Sequence, residues 1–423
     1  MKQFFLCSTA VAALAITSSA YGAGFMVREN SAAGLGMTFA GNGSRAEDAS
    51  TVFNNPAGMT RLRGTEVTAG AAAVFPAINF EGSASVLSGP LPGNNGGQAG
   101  AMTGVPHFYG ALELAPDWNA GLAITVPFGN TTNYNDDWYG RYVGLKTSAL
   151  SFDINPNVAY RVNDRVSIGA GVSAQYFRLD VSAAIPQFLL LGAGTPDAIL
   201  NFKADGWSFG WNIGLLLQVD EKTRIGATYR SQVDHEIEGA LDFAGASPFL
   251  GLASGPAHSD VSLPGSASIS FTHQATPQLA ISADAQWSGW SSFDNVLMEN
   301  TGAPINNMQN YEDSWILSVG ASYEVRPGLK LRGGAGWDQT PVSDEFRTVG
   351  VPDQDRIMVG VGFGYQLNEA LSIDGAYAHY FATEAATMNR SANRLDPIAG
   401  VIALQGDYNL GLDYVALSLN YRR

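Results

Sequence analysis

The chain has 423 residues, a formal net charge of -15, a 14% charged fraction and a single cysteine. An acidic balance of this size argues against a nucleic-acid partner, and one cysteine excludes a disulfide framework. The charged fraction is low for a soluble protein, yet no segment beyond the leader is long and apolar enough for a spanning helix.

Residues 1–22 read as a signal peptide. Lys2 gives a positive start, Phe4 to Ile16 is apolar but shorter than the ~20 residues a spanning helix needs, and Ala20-Tyr21-Gly22 offers small residues at the cleavage site. Cleavage is expected after Gly22, so Cys7 leaves with the leader and the mature chain begins Ala23-Gly24-Phe25.

Residues 23–63 do not alternate. They are rich in Gly, Ser, Ala and Asn, as in Ser31-Ala32-Ala33-Gly34-Leu35-Gly36 and Asn54-Asn55-Pro56-Ala57-Gly58. Such a stretch is either a free tail or a plug. A plug is favoured, because a wide barrel leaks unless its lumen is filled.

From residue 64 to 423 the pattern is one of short alternating segments. Val166, Ile168, Ala170, Val172, Ala174 and Tyr176 share one face, and Ser167, Gly169, Gly171, Ser173 and Gln175 the other. Leu279 to Ser288, Leu329 to Asp338, Arg356 to Gln366 and Val415 to Tyr421 repeat it, with aromatic residues at the ends of the apolar faces, where a barrel places its interfacial girdles. Counting such segments along the chain gives about fourteen. They begin near Thr65, Val105, Trp118, Thr147, Val166, Trp207, Thr223, Asp260, Leu279, Trp315, Leu329, Arg356, Leu371 and Gly406. Their joins alternate between tight turns, such as Ala115-Pro116-Asp117 and Arg326-Pro327-Gly328, and long loops around 79–104, 127–146, 181–206, 240–259, 291–314, 341–355 and 382–405. The expected fold is all-β: a transmembrane antiparallel β-barrel in an outer membrane, with both termini in the periplasm and the lumen plugged by an N-terminal hatch. Two of the long loops are unusually apolar. Ile185–Phe202 carries Phe188-Leu189-Leu190-Leu191, and Leu241–Ala257 carries Phe243, Phe249, Leu250 and Leu252, which suggests a landing surface for a hydrophobic ligand.

The ordered motifs resemble the FadL/TodX family of outer-membrane transporters for long-chain fatty acids and other hydrophobic compounds. The resemblance rests on the Ala23-Gly24-Phe25 start, on Asn55-Pro56-Ala57, on Trp138-Tyr139-Gly140-Arg141-Tyr142 and on the run Ile154 to Asn163. It continues with Tyr229-Arg230-Ser231, Trp337 to Val342 and Val351 to Arg356. It implies a fourteen-stranded monomeric barrel that binds its ligand at outer loops, passes it to an inner apolar pocket and releases it sideways through a kinked third strand. By the same resemblance Phe25 falls at the hatch N-terminus and Asn55, Pro56 and Ala57 on the hatch motif. Pro127, Phe128 and Gly129 fall on the kink, where a proline that cannot donate to a ladder and a glycine that tolerates a bend make physical sense. Arg178, in Tyr176-Phe177-Arg178, falls where a cation can meet a ligand carboxylate, and Phe188 and Leu190 are expected to add apolar contacts. Two departures stand out. Glu312 occupies the place of a second cation, which leaves room for neutral hydrocarbons or aromatics, and the chain ends Tyr421-Arg422-Arg423 rather than on an aromatic residue for the barrel-assembly machinery.

The expected partners are therefore a long-chain fatty acid or another hydrophobic small molecule, the outer-membrane lipid and lipopolysaccharide, and the assembly machinery, with no cofactor. An outer-membrane lipid hydrolase would need a serine, a histidine and an acid brought together. His258-Ser259-Asp260 has the right types, but neighbours in sequence cannot form a triad by themselves, and a solvated turn is the expectation there. Gly360-Val361-Gly362-Phe363-Gly364 is strand alternation rather than a nucleotide loop, since no helix follows. A polar porin or adhesin is the remaining class, against which the hatch-like segment and apolar loops count.

Overall fold

The computed structural model describes residues 24–87, 89–302, 304–389 and 401–423. The signal peptide expected at 1–22 and its cleavage site lie outside the described residues.

Fourteen antiparallel strands close into one barrel. In chain order they are β1 (Thr65–Val86), β2 (Thr103–Ala115), β3 (Trp118–Thr125, continued by Gly129–Asn133), β4 (Lys146–Arg161), β5 (Val166–Ile185), β6 (Ala198–Gln218), β7 (Thr223–Arg230, continued by Val233–Ala244), β8 (Gly255–Leu263, continued by Ser266–Gln274), β9 (Leu279–Ser288), β10 (Ser314–Arg326), β11 (Leu329–Asp338), β12 (Arg356–Gln366), β13 (Leu371–Ala382, continued by Ala386–Asn389) and β14 (Ile402–Arg422). Each pairs with its neighbours in sequence. β14 returns to β1 in unbroken register from Glu66↔Arg422 to Val86↔Ile402. Closure matters because hydrocarbon offers no partner for an open edge, and each orphaned backbone group there costs several kcal/mol, by order of magnitude.

Alternation sets the two faces. On β5, Ile168 and Val172 point out, while Ser167, Ser173 and Gln175 are buried inside. On β6, Trp207, Phe209, Trp211, Ile213 and Leu215 form an exposed apolar row. Cross-strand aromatic pairs mark the margins of this band: Trp118 with Tyr160 at the short-turn end, ring centroids 4.6 Å apart, and Tyr176 with Trp207 toward the long-loop end, 5.5 Å apart. Such amphipathic rings sit at headgroup level.

At the long-loop end the strands run further than the sequence suggests. β6 begins at Ala198 and β8 at Gly255, so much of the loops expected at 181–206 and 240–259 is strand. Phe202, Leu241 and Ala257 in these extensions are buried and face the interior. Burial inside the barrel accounts for these residues, while Leu190, Leu191, Phe249 and Leu252 of the same segments stay exposed. The expected turn at His258-Ser259-Asp260 is likewise part of β8. There His258 pairs with Glu299 at 3.2 Å, and Ser259 is buried on the opposite face.

Residues 24–62 run through the lumen. They touch the wall nearly all the way round: Asn30 O accepts from Tyr109 of β2, Thr60 Oγ1 donates to Ser167 of β5, Asn55 Nδ2 donates to Leu215 O of β6, and the Gly43 amide donates to Ser270 of β8. Glu47 meets Lys330 of β11, Glu29 accepts from Tyr380 of β13, and the Ala32 amide donates to Ser418 of β14. Only a segment inside the cylinder can reach all of these strands. Its own structure is short: α1 (Ala32–Leu35), capped by Ser31, then α2 (Thr51–Asn54), then a 3₁₀ turn over Pro56–Arg61.

Candidate functional site

Asn55-Pro56-Ala57 is built as a helix start. The Asn55 side chain accepts from the Ala57 amide at 3.1 Å, and Pro56 occupies the first position, where its missing N–H costs nothing. The same side chain donates to Gly43 O at 2.6 Å and to Leu215 O at 3.0 Å, tying two parts of the luminal segment to the wall. The wall opposite is bare backbone. A Cβ on Gly214 would collide with Asn55 Oδ1, and one on Gly169 would press on the Ala57 amide nitrogen. Only glycine permits this approach.

A charged cluster pins the segment at the short-turn end. Glu47 lies 2.9 Å from Lys330 and 3.6 Å from Arg332, and Arg332 lies 2.6 Å from Asp374. Burial alone would raise the Glu47 pKa, but Lys330, Arg332 and Arg45 outweigh it and hold it well below the usual carboxylate range. Glu29 goes the other way, since its burial raises its pKa more than the Tyr380 hydroxyl lowers it.

The wall opens at β3. Its first part pairs with β2 only as far as Ile124↔Phe108, and its second part, Gly129–Asn133, pairs with β4 and, at its far end, with Ala99 and Gly100 ahead of β2. Thr103–His107 of β2 pair with β1 but have no partner on the β3 side. The break falls at 126–128, where Pro127 has no N–H to give. The luminal segment supplies the missing partners: Val27 N donates to Pro127 O at 2.8 Å, and Gly129 N donates to Phe25 O at 2.9 Å. Met26 and Phe128 thus face each other as a bridge pair. Gly24, at φ +63°, turns the chain into this position and donates its amide to Asp353 at 2.9 Å.

Above the break lies an apolar pocket. Phe25 packs edge-on against Trp290 (4.8 Å between centroids), Phe293 (5.2 Å) and Phe128 (6.0 Å). The cavity beside it is lined by Phe25, Phe177, Leu179, Phe293, Val296 and Met298, among others, and holds about 60 Å³ of free space. That is room for about four or five waters, at ~10–15 Å³ of such space each. An alkyl chain enters only by displacing side chains, of which Phe25 is the one borne on the luminal segment.

Three ligand contacts expected from the sequence do not join this pocket. Arg178 is exposed on the outer face of β5, opposite Asp205 of β6, because it shares the parity of Ile168 and Val172. Phe188 packs at 6.2 Å on Tyr142 in a separate cluster beneath the outer loops, and Leu190 is 78% exposed. The two apolar loops do meet each other, since the Gln187 side chain donates to Gly245 O at 3.1 Å and accepts from the Ser247 amide at 2.6 Å. Leu190, Leu191, Phe249 and Leu252 stand exposed around that junction. Trp290, Phe293, Phe177 and Leu179 are the pocket residues that sequence reading missed. Phe293 lies in the long loop expected around 291–314, and Trp290 just ahead of it. The other two have the parity opposite to the lipid face, a signal that was there to read.

These features coincide with known proteins. Residues 13–422 match the family described as outer membrane protein transport protein (OMPP1/FadL/TodX). The long-chain fatty acid transport protein of Escherichia coli is 29% identical over 410 residues, covering 89% of this chain and 91% of the relative. The 47 kDa outer membrane protein of Pasteurella multocida is 30% identical over 400 residues, covering 89% and 92%. The crystal structure of a Pseudomonas aeruginosa FadL homologue superposes with a TM-score of 0.89 at 26% identity, covering 95% of this chain and 100% of that one. The Ralstonia pickettii toluene transporter TbuX shares the fold, with a TM-score of 0.63 at 18% identity over 92% and 97%. A closed outer-membrane barrel, a filled lumen and a match over almost its entire length make this chain a member of the outer membrane protein transport family of FadL and TodX.

Proposed function

We propose that this protein carries hydrophobic small molecules, long-chain fatty acids foremost, across the outer membrane without an energy source. Capture occurs on the apolar loop surface at Leu190 and Phe249. Transfer follows to the pocket around Phe25, and release is sideways through the wall at Pro127, Phe128 and Gly129. Residues 23–63 act as the hatch, with Asn55-Pro56-Ala57 as its fixed point, and 64–423 as the barrel. Both termini face the periplasm, the side of the short turns. Sideways release suits a greasy ligand, which gains ~0.8 kcal/mol per methylene on leaving water.

The observation that carries this reading is the sharing of residues between pocket and opening. Phe25 walls the pocket, and its carbonyl oxygen caps the broken edge of β3 through Gly129. A ligand that shifts Phe25 therefore loosens the edge it must leave by. Neutral hydrocarbons are the second reading, favoured by a pocket lining in which Asn130, Asn307 and Gln309 are polar but uncharged.

The test is uptake of labelled oleate by cells that depend on this protein. Gly129→Val, a β-branched residue that favours a regular strand, should cut uptake about tenfold or more if it straightens and seals the wall. Normal uptake in a variant shown to have a continuous β2–β3 ladder would reject the route.

A further inference from the structure

Below Phe25 and Phe128 lies a second cavity of about 100 Å³ that is polar where the first is apolar. Met26, Val27, Pro127 and Phe128 form its side toward the wall break, and Arg28, Asn30, Asp284, Gln286 and Arg230 bring polar groups to it. It has room for a carboxylate with a few waters, at ~10–15 Å³ of such space per water, and its charged and amide groups suit a head group better than an alkyl chain.

Arg28 is the unusual member. One arm of its guanidinium, Nη2, donates to Gln286 Oε1 at 2.5 Å, and the group lies 5.2 Å from the centroid of the Phe39 ring. The other arm, Nη1, is buried and donates to nothing. Glu29, Asp284 and Asp338 lie near enough to feel its charge, but each is hydrogen-bonded or ion-paired to another group. Glu29 accepts from Tyr380 with one oxygen and from the Arg28 backbone amide with the other, and Asp284 accepts from Ser270. Among the described residues no carboxylate stands within ion-pair distance of the Arg28 guanidinium. Arg230, by contrast, is committed to Asp153 at 3.5 Å and to the face of Phe53 at 4.1 Å. The Asn30 Oδ1 is also buried without a partner in the same cavity, and as an acceptor it would take a hydrogen bond from a water beside the anion rather than from the anion itself. A buried charge left half-satisfied is costly, and an anion that completes it recovers that cost.

We infer that Arg28 is the head-group site for an alkyl carboxylate whose tail occupies the apolar pocket at Phe25. The distance suits this: Phe25 and Arg28 are three residues apart on extended backbone, ~10 Å at most. The cation thus rides on the luminal segment rather than on the barrel wall, so binding the carboxylate acts on the same residues that cap β3. The inference rests on the proposed uptake of hydrophobic ligands and deepens it to anionic ones.

Equilibrium binding of radiolabelled oleate and oleyl alcohol to the full protein in lipid nanodiscs, at pH 8, separates the two. The wild type should bind both. Arg28→Met should weaken oleate by about ten- to a hundredfold, the range for a lost charge-assisted hydrogen bond, and leave oleyl alcohol unchanged, while Arg28→Lys should recover part of the loss. The unaltered alcohol shows that the variant is folded. Equal effects on both ligands, or no effect on oleate, would overturn the head-group site while leaving hydrophobic uptake standing. A wild type that binds neither would overturn both.

Discussion

At the scale of single residues, parity decides what a side chain can touch. Strand side chains alternate with a period of two, so a residue two places along from a lipid-facing one also faces lipid. Tyr176 shares its face with Ile168 and Val172, and Arg178 follows it onto the outside. The lipid face of β5 was legible in the sequence, and so, from the same alternation, was the wrong side for Arg178. The family-like spacing of Tyr176 and Arg178 obscured it. The outcome is specific: Arg178→Ala should leave oleate affinity within about twofold of wild type, since an exposed charge facing Asp205 contributes ~0–1 kcal/mol and touches no pocket residue. A tenfold loss in a binding titration would place the guanidinium in the ligand's path after all. Arg28 shows the opposite limit. Nothing in the sequence around it shows how its guanidinium is partnered, because Gln286, which it donates to, is distant in the chain.

At the scale of elements, the short-turn ends of the strands were readable and the long-loop ends only in part, as at Arg356 and within one residue at Thr147 and Trp315. Trp118, Val166, Thr223, Leu279, Leu329 and Leu371 begin strands where alternation begins. By contrast, β6 starts nine residues before Trp207, at Ala198. Beyond the membrane the outer face no longer needs apolar residues, so the alternation fades while the ladder continues. The luminal segment shows a related limit, because its position depends on what the wall lacks. Asn55 and Pro56 sit where Gly169 and Gly214 leave room, and a glycine in a strand looks the same whether or not something leans on it. Gly214→Val should push Asn55-Pro56-Ala57 off the wall and raise conductance in planar bilayers well above the wild-type level. Asn55→Ala should do so more weakly, its lost cap costing ~0.5–2 kcal/mol. Wild-type conductance in both variants, with heat-modifiable gel mobility confirming the barrel, would mean that this contact does not hold the lumen closed.

At the scale of the whole molecule, the barrel and the segment inside it complete each other. The barrel is closed by β1 and β14 but broken at β3, and the break is capped from within by Phe25 and Val27. Transport then amounts to exchanging that cap for a ligand. Met26 and Phe128 offer a direct handle. Their flanking residues make the hydrogen bonds, so they form a non-hydrogen-bonded pair with Cα atoms ~4.5 Å apart, inside the ~4.4–6.8 Å range of disulfides, and the only native cysteine, Cys7, lies in the expected leader. The double variant Met26→Cys with Phe128→Cys can therefore lock the cap covalently in cells, and labelled oleate uptake read before and after reduction tests the account. It predicts that the oxidised protein is inactive and that reduction restores uptake. Wild-type uptake by protein whose crosslink is verified by mass spectrometry would contradict it.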